Sequence, residues 1–228
     1  MPSQTIMPQN SRFNAIALGF MGGALDIYCQ IHYNSLVATQ TGNILLLIAN
    51  MHSQALAETL IRLCSILFFS LGFIFGIILK NHAKSAFWRV HAIAPLMLLT
   101  FLLPFLPETK LVLVSLLAIA TGMLTLTFSG SQIETHSYTI LMTSGNYRKM
   151  LSSWFAYLTS KEKSPLLKRE AINYSLVVGS FVSGAFSIFL LEPLLHRKTI
   201  WLVSLSLVLV IYHYSSNVIR YKLHYINI

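Results

Sequence analysis

Residues 138–158 read YTILMTSGNYRKMLSSWFAYL. The stretch is long and apolar enough to suggest a membrane span, yet Arg148 and Lys149 stand in its middle. Each central charge costs on the order of 2.5–3.5 kcal/mol on insertion scales. Two adjacent charges argue against a plain crossing and for a re-entrant or interfacial segment. The same signature occurs earlier, where Thr41-Gly42-Asn43 precedes Ser144-Gly145-Asn146 by 103 residues. Whether these two segments cross or turn back decides the fold.

The rest of the chain is written for lipid. Of 228 residues, 55% are hydrophobic and 10% charged, against roughly 25% charged in ordinary soluble domains. Mean hydropathy is +0.65. One soluble core cannot hide that much apolar surface. Residues 63–79, 90–107, 111–133, 171–191 and 199–219 lack Asp, Glu, Lys and Arg, and each is about long enough to cross the hydrocarbon as a helix. Arg62 and Lys80 flank the first of these as candidate snorkelling residues. Between residues 13 and 57 the only formal charge is Asp26, and the polar patch from Gln30 to Ser35 divides that stretch into segments near 13–30 and 36–51. The apolar stretch after the polar tail 1–12 reads as a retained first segment rather than a cleaved signal.

A weak repeat links the two halves. Gly22 and Gly23 precede the first Gly-Asn segment, and Gly122 precedes the second. Gly72 and Gly76 follow the first, and Gly179 and Gly184 the second. The domains expected are repeats 13–107 and 111–219, between the tail 1–12 and a basic tail 220–228. Charge then sets the topology. If both Gly-Asn segments turn back, Arg12, Lys80, Lys84, Arg89, Arg148, Lys149, Lys161, Lys163, Lys168, Arg169, Arg220 and Lys222 share one side. Only Arg62, Lys110, Arg197 and Lys198 face the other. If both segments cross, the bias nearly vanishes. The expected fold is therefore all-α, a transmembrane bundle of two inverted three-span repeats with paired re-entrant or broken helices and both termini cytoplasmic. Such symmetry recurs in secondary transporters.

Asp26 is the one carboxylate deep in an apolar segment, which makes it a candidate cation, proton or polar site. The alternative places it near the interface beside Gln30 and His32, facing water. A metal site on Asp26, Cys29 and His32 lacks a fourth ligand, and no metal or cofactor is expected. Thr41, Gly42, Asn43, Ser144, Gly145 and Asn146 are candidate substrate-binding residues, since a broken helix exposes N–H groups at its N-terminus. Close helix packing is the competing reading of the glycines. The small-residue faces around Gly72, Gly76, Gly179 and Gly184 suit packing, within the chain or in a homo-oligomer. Pro95, Pro104 and Pro107 kink or end their segment. Trp88, Trp154 and Trp201 suit interfacial anchoring. Cys29 and Cys64 read as buried free thiols. The basic run 161–170 reads as a solvated loop beside anionic headgroups. No nucleotide loop, nucleophile elbow or carboxylate pair supports an enzyme, and no basic stripe supports nucleic acid.

Gly23-Ala24-Leu25-Asp26 followed by Val37-Ala38-Thr39-Gln40-Thr41-Gly42-Asn43 resembles the signature of the YoaK family of membrane proteins. Ala120-Thr121-Gly122 and Met142-Thr143-Ser144-Gly145-Asn146-Tyr147-Arg148-Lys149 are similar to its later motifs. The chain departs from the family at Leu124 and Thr125, where Gln-Asn is usual, and at Gln40 and Ser144. The resemblance implies an integral inner-membrane protein of about six spans and supplies no substrate. The leading expectation is a small-solute permease or channel-like carrier. The rival is a scaffold or accessory subunit of a membrane complex.

Overall fold

The computed structural model describes residues 7–50 and 56–223. Eight α-helices dominate the described residues: α1 (Arg12–Tyr33), α2 (Gln40–Ala49), α3 (Leu56–His82), α4 (Trp88–Leu102), α5 (Lys110–Thr127), α6 (Ser144–Thr159), α7 (Pro165–Leu195) and α8 (Trp201–Arg220). Local chemistry sets their ends. The Ser11 hydroxyl accepts from Asn14 N at 3.0 Å to start α1, and Asn34 stops it in the left-handed region at φ 53°. Pro165 opens α7 at a position where no N–H is needed. Pro95 lies inside α4, and Pro104 sits in the short 3-10 turn that ends it.

Among the described residues, four stretches are long and apolar enough to cross a membrane: Leu56–His82, Trp88–Phe105, Lys110–Thr127 and Pro165–Arg220, the last containing both α7 and α8. The surface agrees. Leu67, Ile74, Phe75, Phe186, Phe189 and Leu190 on α3 and α7 are all exposed, an apolar covering that suits lipid. The interior is built from α1, α5 and α8, with Leu18, Leu25, Tyr28, Leu117, Leu124, Leu207 and Tyr214 fully buried. At the α4–α8 crossing Ser204 Oγ donates to Thr100 Oγ1 at 2.9 Å, the polar bonding between helices that lipid favours.

The uncharged run 111–133 is not one helix. α5 stops at Thr127, Gly130 turns at φ +79°, and Gln132–Ile133 pairs with His136–Ser137 in a two-stranded antiparallel ladder. The all-α expectation needs that small amendment.

Helix contacts map onto themselves when α1–α4 are exchanged with α5–α8. α1 packs on α7 as α5 packs on α3, α1 on α8 as α5 on α4, and α2 on α3 as α6 on α7, while α4 meets α8. The glycines give the match residue by residue. A Cβ on Gly72 would strike the carbonyl of Ile119, and one on Gly122 that of Phe69. A Cβ on Gly184 would strike the carbonyl of Phe20, and one on Gly23 that of Phe181. In both pairs each glycine sits against the residue three before its partner, so the two backbones touch. Gly72 therefore corresponds to Gly184 and Gly23 to Gly122. Gly179, paired with Gly72 on sequence spacing alone, faces open space.

Polar contacts sort the loops onto two ends. At one, Tyr214 Oη donates to Ala86 O at 3.0 Å, Arg12 Nε to Asn173 Oδ1 at 2.8 Å, and Arg169 forks onto Glu134 at 2.6 and 2.7 Å. At the other, Arg62 Nε donates to Asn34 O at 3.1 Å and Arg197 Nη2 to Leu103 O at 2.9 Å. Arg62 does not snorkel; it is 3% exposed. Trp88, expected at an interface, is 4% exposed beneath the first end. Nor is the basic run wholly solvated, since Arg169 holds the Glu134 hairpin.

That ion pair makes one end acid-sensitive. The Arg169 fork, with Asn173 and Arg12 beside it, holds the Glu134 carboxyl down at about 2. A depressed carboxylate contributes stability that is complete above its unfolded value of about 4.5 and is lost as pH falls toward 2. Melting curves between pH 6 and 2 should show a smaller acid loss in Glu134→Gln than in the native chain. Parallel acid profiles would refute the assignment.

Candidate functional site

The two ends of each Gly-Asn segment are tied close together. Arg62 binds the carbonyl of Asn34 at 3.1 Å and that of Leu46 at 3.4 Å. With its amide turned to accept, Asn50 Oδ1 lies 2.6 Å from Arg62 Nη1. Residues 34 and 50 thus flank one guanidinium, and α2, ten residues long, rises only about 15 Å, half the hydrocarbon thickness. At the opposite end Ser137 O accepts from Lys149 Nζ at 2.6 Å and from Tyr174 Oη at 2.9 Å. Residues 137 and 149 therefore lie together. Lys149, the awkward charge in the middle of 138–158, sits at the rim.

Each returning segment is closed by the same asparagine clamp. Asn43 Oδ1 accepts from Leu36 N at 2.9 Å, and its Nδ2 donates to Leu36 O at 2.6 Å. Asn146 Oδ1 accepts from Thr139 N at 2.9 Å, and its Nδ2 donates to Thr139 O at 2.6 Å. Both asparagines are fully buried and both reach back seven residues. A side-chain amide here pairs both backbone groups of one loop residue, as a neighbouring strand would. Replacing either with Leu removes both of these bonds and should cost about 1–3 kcal/mol. The two losses should be similar in thermal or SDS unfolding. A neutral result at either position would remove that clamp from the account.

The first segment has a second anchor. Asp26 Oδ1 accepts from Val37 N at 3.0 Å, Ala38 N at 2.8 Å and Thr39 N at 3.4 Å, and Thr39 Oγ1 donates to Oδ2. The residues 37–39 lead directly into α2, so the carboxylate of α1 supplies the negative charge that a helix N-terminus favours. Around it, Gln40 Nε2 donates to Val37 O at 2.9 Å and Asn43 Nδ2 to Gln40 Oε1 at 2.9 Å. Ser65 Oγ donates to Leu36 O at 2.6 Å. Asp26 is 5% exposed, which sets aside its reading as a water-facing interface residue.

Of the candidate residues, Thr41 and Ser144 are exposed on the first turns of α2 and α6. Gly42 and Gly145 are half-buried, with Leu36 Cδ1 and Thr139 Oγ1 as their nearest neighbours. Asp26, Asn43 and Asn146 have their polar atoms paired within the chain. The first-half residues gather round Asp26, and the second-half three form a separate cluster on α6. Sequence reasoning missed Thr39, Gln40, Ser65 and Arg62, whose roles arise only from tertiary contact. Asp26 and Cys29 share a face without forming a metal cluster, and no group of three or more ligating side chains occurs among the described residues. Cys29 and Cys64 are free thiols.

A protein family described as "Protein of unknown function (DUF1275)" has a profile that matches residues 14–213. No curated protein and no solved structure matches the chain.

Proposed function

The chain belongs to this DUF1275 family, whose description names no activity, and from its geometry we propose that this membrane protein carries a small solute across the bilayer. The observation that carries the reading is the pair of returning segments, one entering from each end of the bundle and each closed by the same Asn clamp. In this reading α1, α3, α4, α5, α7 and α8 cross, and the halves 13–107 and 111–219 lie inverted. The end holding Arg12, Arg89 and Arg169 faces the cytoplasm, because basic residues concentrate there. Both termini are then cytoplasmic and the membrane is the inner one. Opposed broken segments of this kind are how many carriers place polar backbone at the midplane. Thr41, Gly42, Ser144 and Gly145 face the pathway, and Asp26, Asn43 and Asn146 hold the segments that present them.

Uptake by purified protein in liposomes, across a panel of small neutral and anionic solutes, tests this. At least one solute should enter with native protein and fail to enter with Asp26→Asn. A second reading, a scaffold or accessory subunit, is favoured by one observation: the polar atoms of Asp26, Asn43 and Asn146 are already bonded within the chain. Absence of uptake across the panel, with one stoichiometric partner co-purifying, would decide for it.

A further inference from the structure

The second half has the first half's cradle without its carboxylate. Asn43 on Leu36 and Asn146 on Thr139 fix the correspondence of the two loops, so Val37, Ala38 and Thr39 match Ile140, Leu141 and Met142. Gly23 matches Gly122 at the helix crossings, so Asp26 matches Thr125. Thr125 donates its hydroxyl to Thr121 O at 2.8 Å, inside its own helix. The N–H groups of Ile140, Leu141 and Met142 have no partner among the described residues. Between them and α5 lies a cavity of about 220 Å³, lined by Thr125, Phe128, Tyr138, Ile140 and Met142 among others. Tyr138 is 6% exposed, and its hydroxyl has no hydrogen-bond partner. The Arg89 guanidinium lies 5.9 Å from the ring of Phe128 on the cavity wall.

We propose that this cavity binds a small monocarboxylate of acetate or formate size, whose carboxylate takes the place that Asp26 fills in the first half. Unpaired amides before the N-terminus of the 16-residue α6 favour an anion. The nearly buried Tyr138 side chain lines the cavity, a nearby guanidinium adds positive potential, and no lining residue carries negative charge. The loop holds its position without an occupant, since Leu141 adopts φ +57° and rests its backbone on Gly22. A flat, planar carboxylate suits a row of amides already shaped, in the first half, around a carboxylate. This binding stands whether or not the occupant crosses the membrane.

The test is thermal unfolding of the purified full-length chain in detergent, titrated with sodium acetate. Chloride and inorganic phosphate at equal ionic strength are the comparisons. Acetate should raise Tm saturably, and the other two should not. Thr125→Asp supplies the missing carboxylate from α5 and should abolish the acetate response. Thr125→Asn sets a neutral acceptor before the same amides and should weaken the response on the order of tenfold, the usual loss for competing with a hydrogen bond to a charged group. Should Thr125→Asp fail to fold, Thr125→Asn decides. No acetate-specific rise in the native chain, an equal rise with chloride or phosphate, or an undiminished response in the variants would each overturn the proposal.

Discussion

Asp26→Ala should destabilise the chain by about 4 kcal/mol or more, the largest loss expected for any single side chain. Three backbone amides and the Thr39 hydroxyl end on this carboxylate. Removing it leaves them unpaired in a buried site, at about 1–3 kcal/mol for each group. The loop 37–39 would then lose its hold on α1, and α2 its anionic cap. Asp26→Asn keeps one acceptor oxygen and should fall between the native chain and Asp26→Ala. Thr39→Val removes a single bond and should cost least. SDS or thermal unfolding gives the ranking directly. If Asp26→Ala melts with the native chain, the carboxylate is not an anchor, and the free ligand-binding role returns.

The second large effect belongs to the helix crossings. Gly72→Leu and Gly184→Leu should each cost about 3 kcal/mol or more, because the new Cβ meets a backbone carbonyl rather than a movable side chain. α3 would have to part from α5, or α7 from α1. Gly179 provides the control within α7. Nothing lies within 4 Å of a Cβ built there, so Gly179→Ala should be neutral or stabilise by up to about 1 kcal/mol, as Ala replaces Gly in a helix. Similar melting of Gly179→Ala and Gly184→Leu would contradict the packing.

How much of this was readable in the sequence follows from what each feature depends on. Membrane class and the odd character of 138–158 were legible, because both rest on local composition. So was Asp26, since a lone carboxylate in an apolar run stands out at once. The role of Asp26 was not, because its partners lie 11 to 13 residues on, and all but the Thr39 hydroxyl are backbone amides that no residue type announces. Gly23 and Gly122 stand out in the sequence and occupy like positions at helix crossings, whereas sequence spacing pairs Gly72 with Gly179 and the contacts pair it with Gly184. The reason is that the two halves are offset unevenly. The offset is 99 residues from Gly23 to Gly122, 103 from Asn43 to Asn146 and 112 from Gly72 to Gly184. A single spacing cannot align them, whereas contacts can. Arg62 was read as a snorkelling end residue because its sequence neighbours are apolar, and only the fold brings Asn34 and Leu46 within its reach.

The central claim is that α2 and α6 turn back instead of crossing. Single cysteines at Asn34, Asn50, Ser137 and Ser160, placed in a chain with Cys29 and Cys64 replaced by Ser, can be labelled by an impermeant maleimide from each side of sealed vesicles. The account predicts that 34 and 50 label from one side, and 137 and 160 from the other. Labelling of 34 and 50 from opposite sides, or of 137 and 160 from opposite sides, would contradict it.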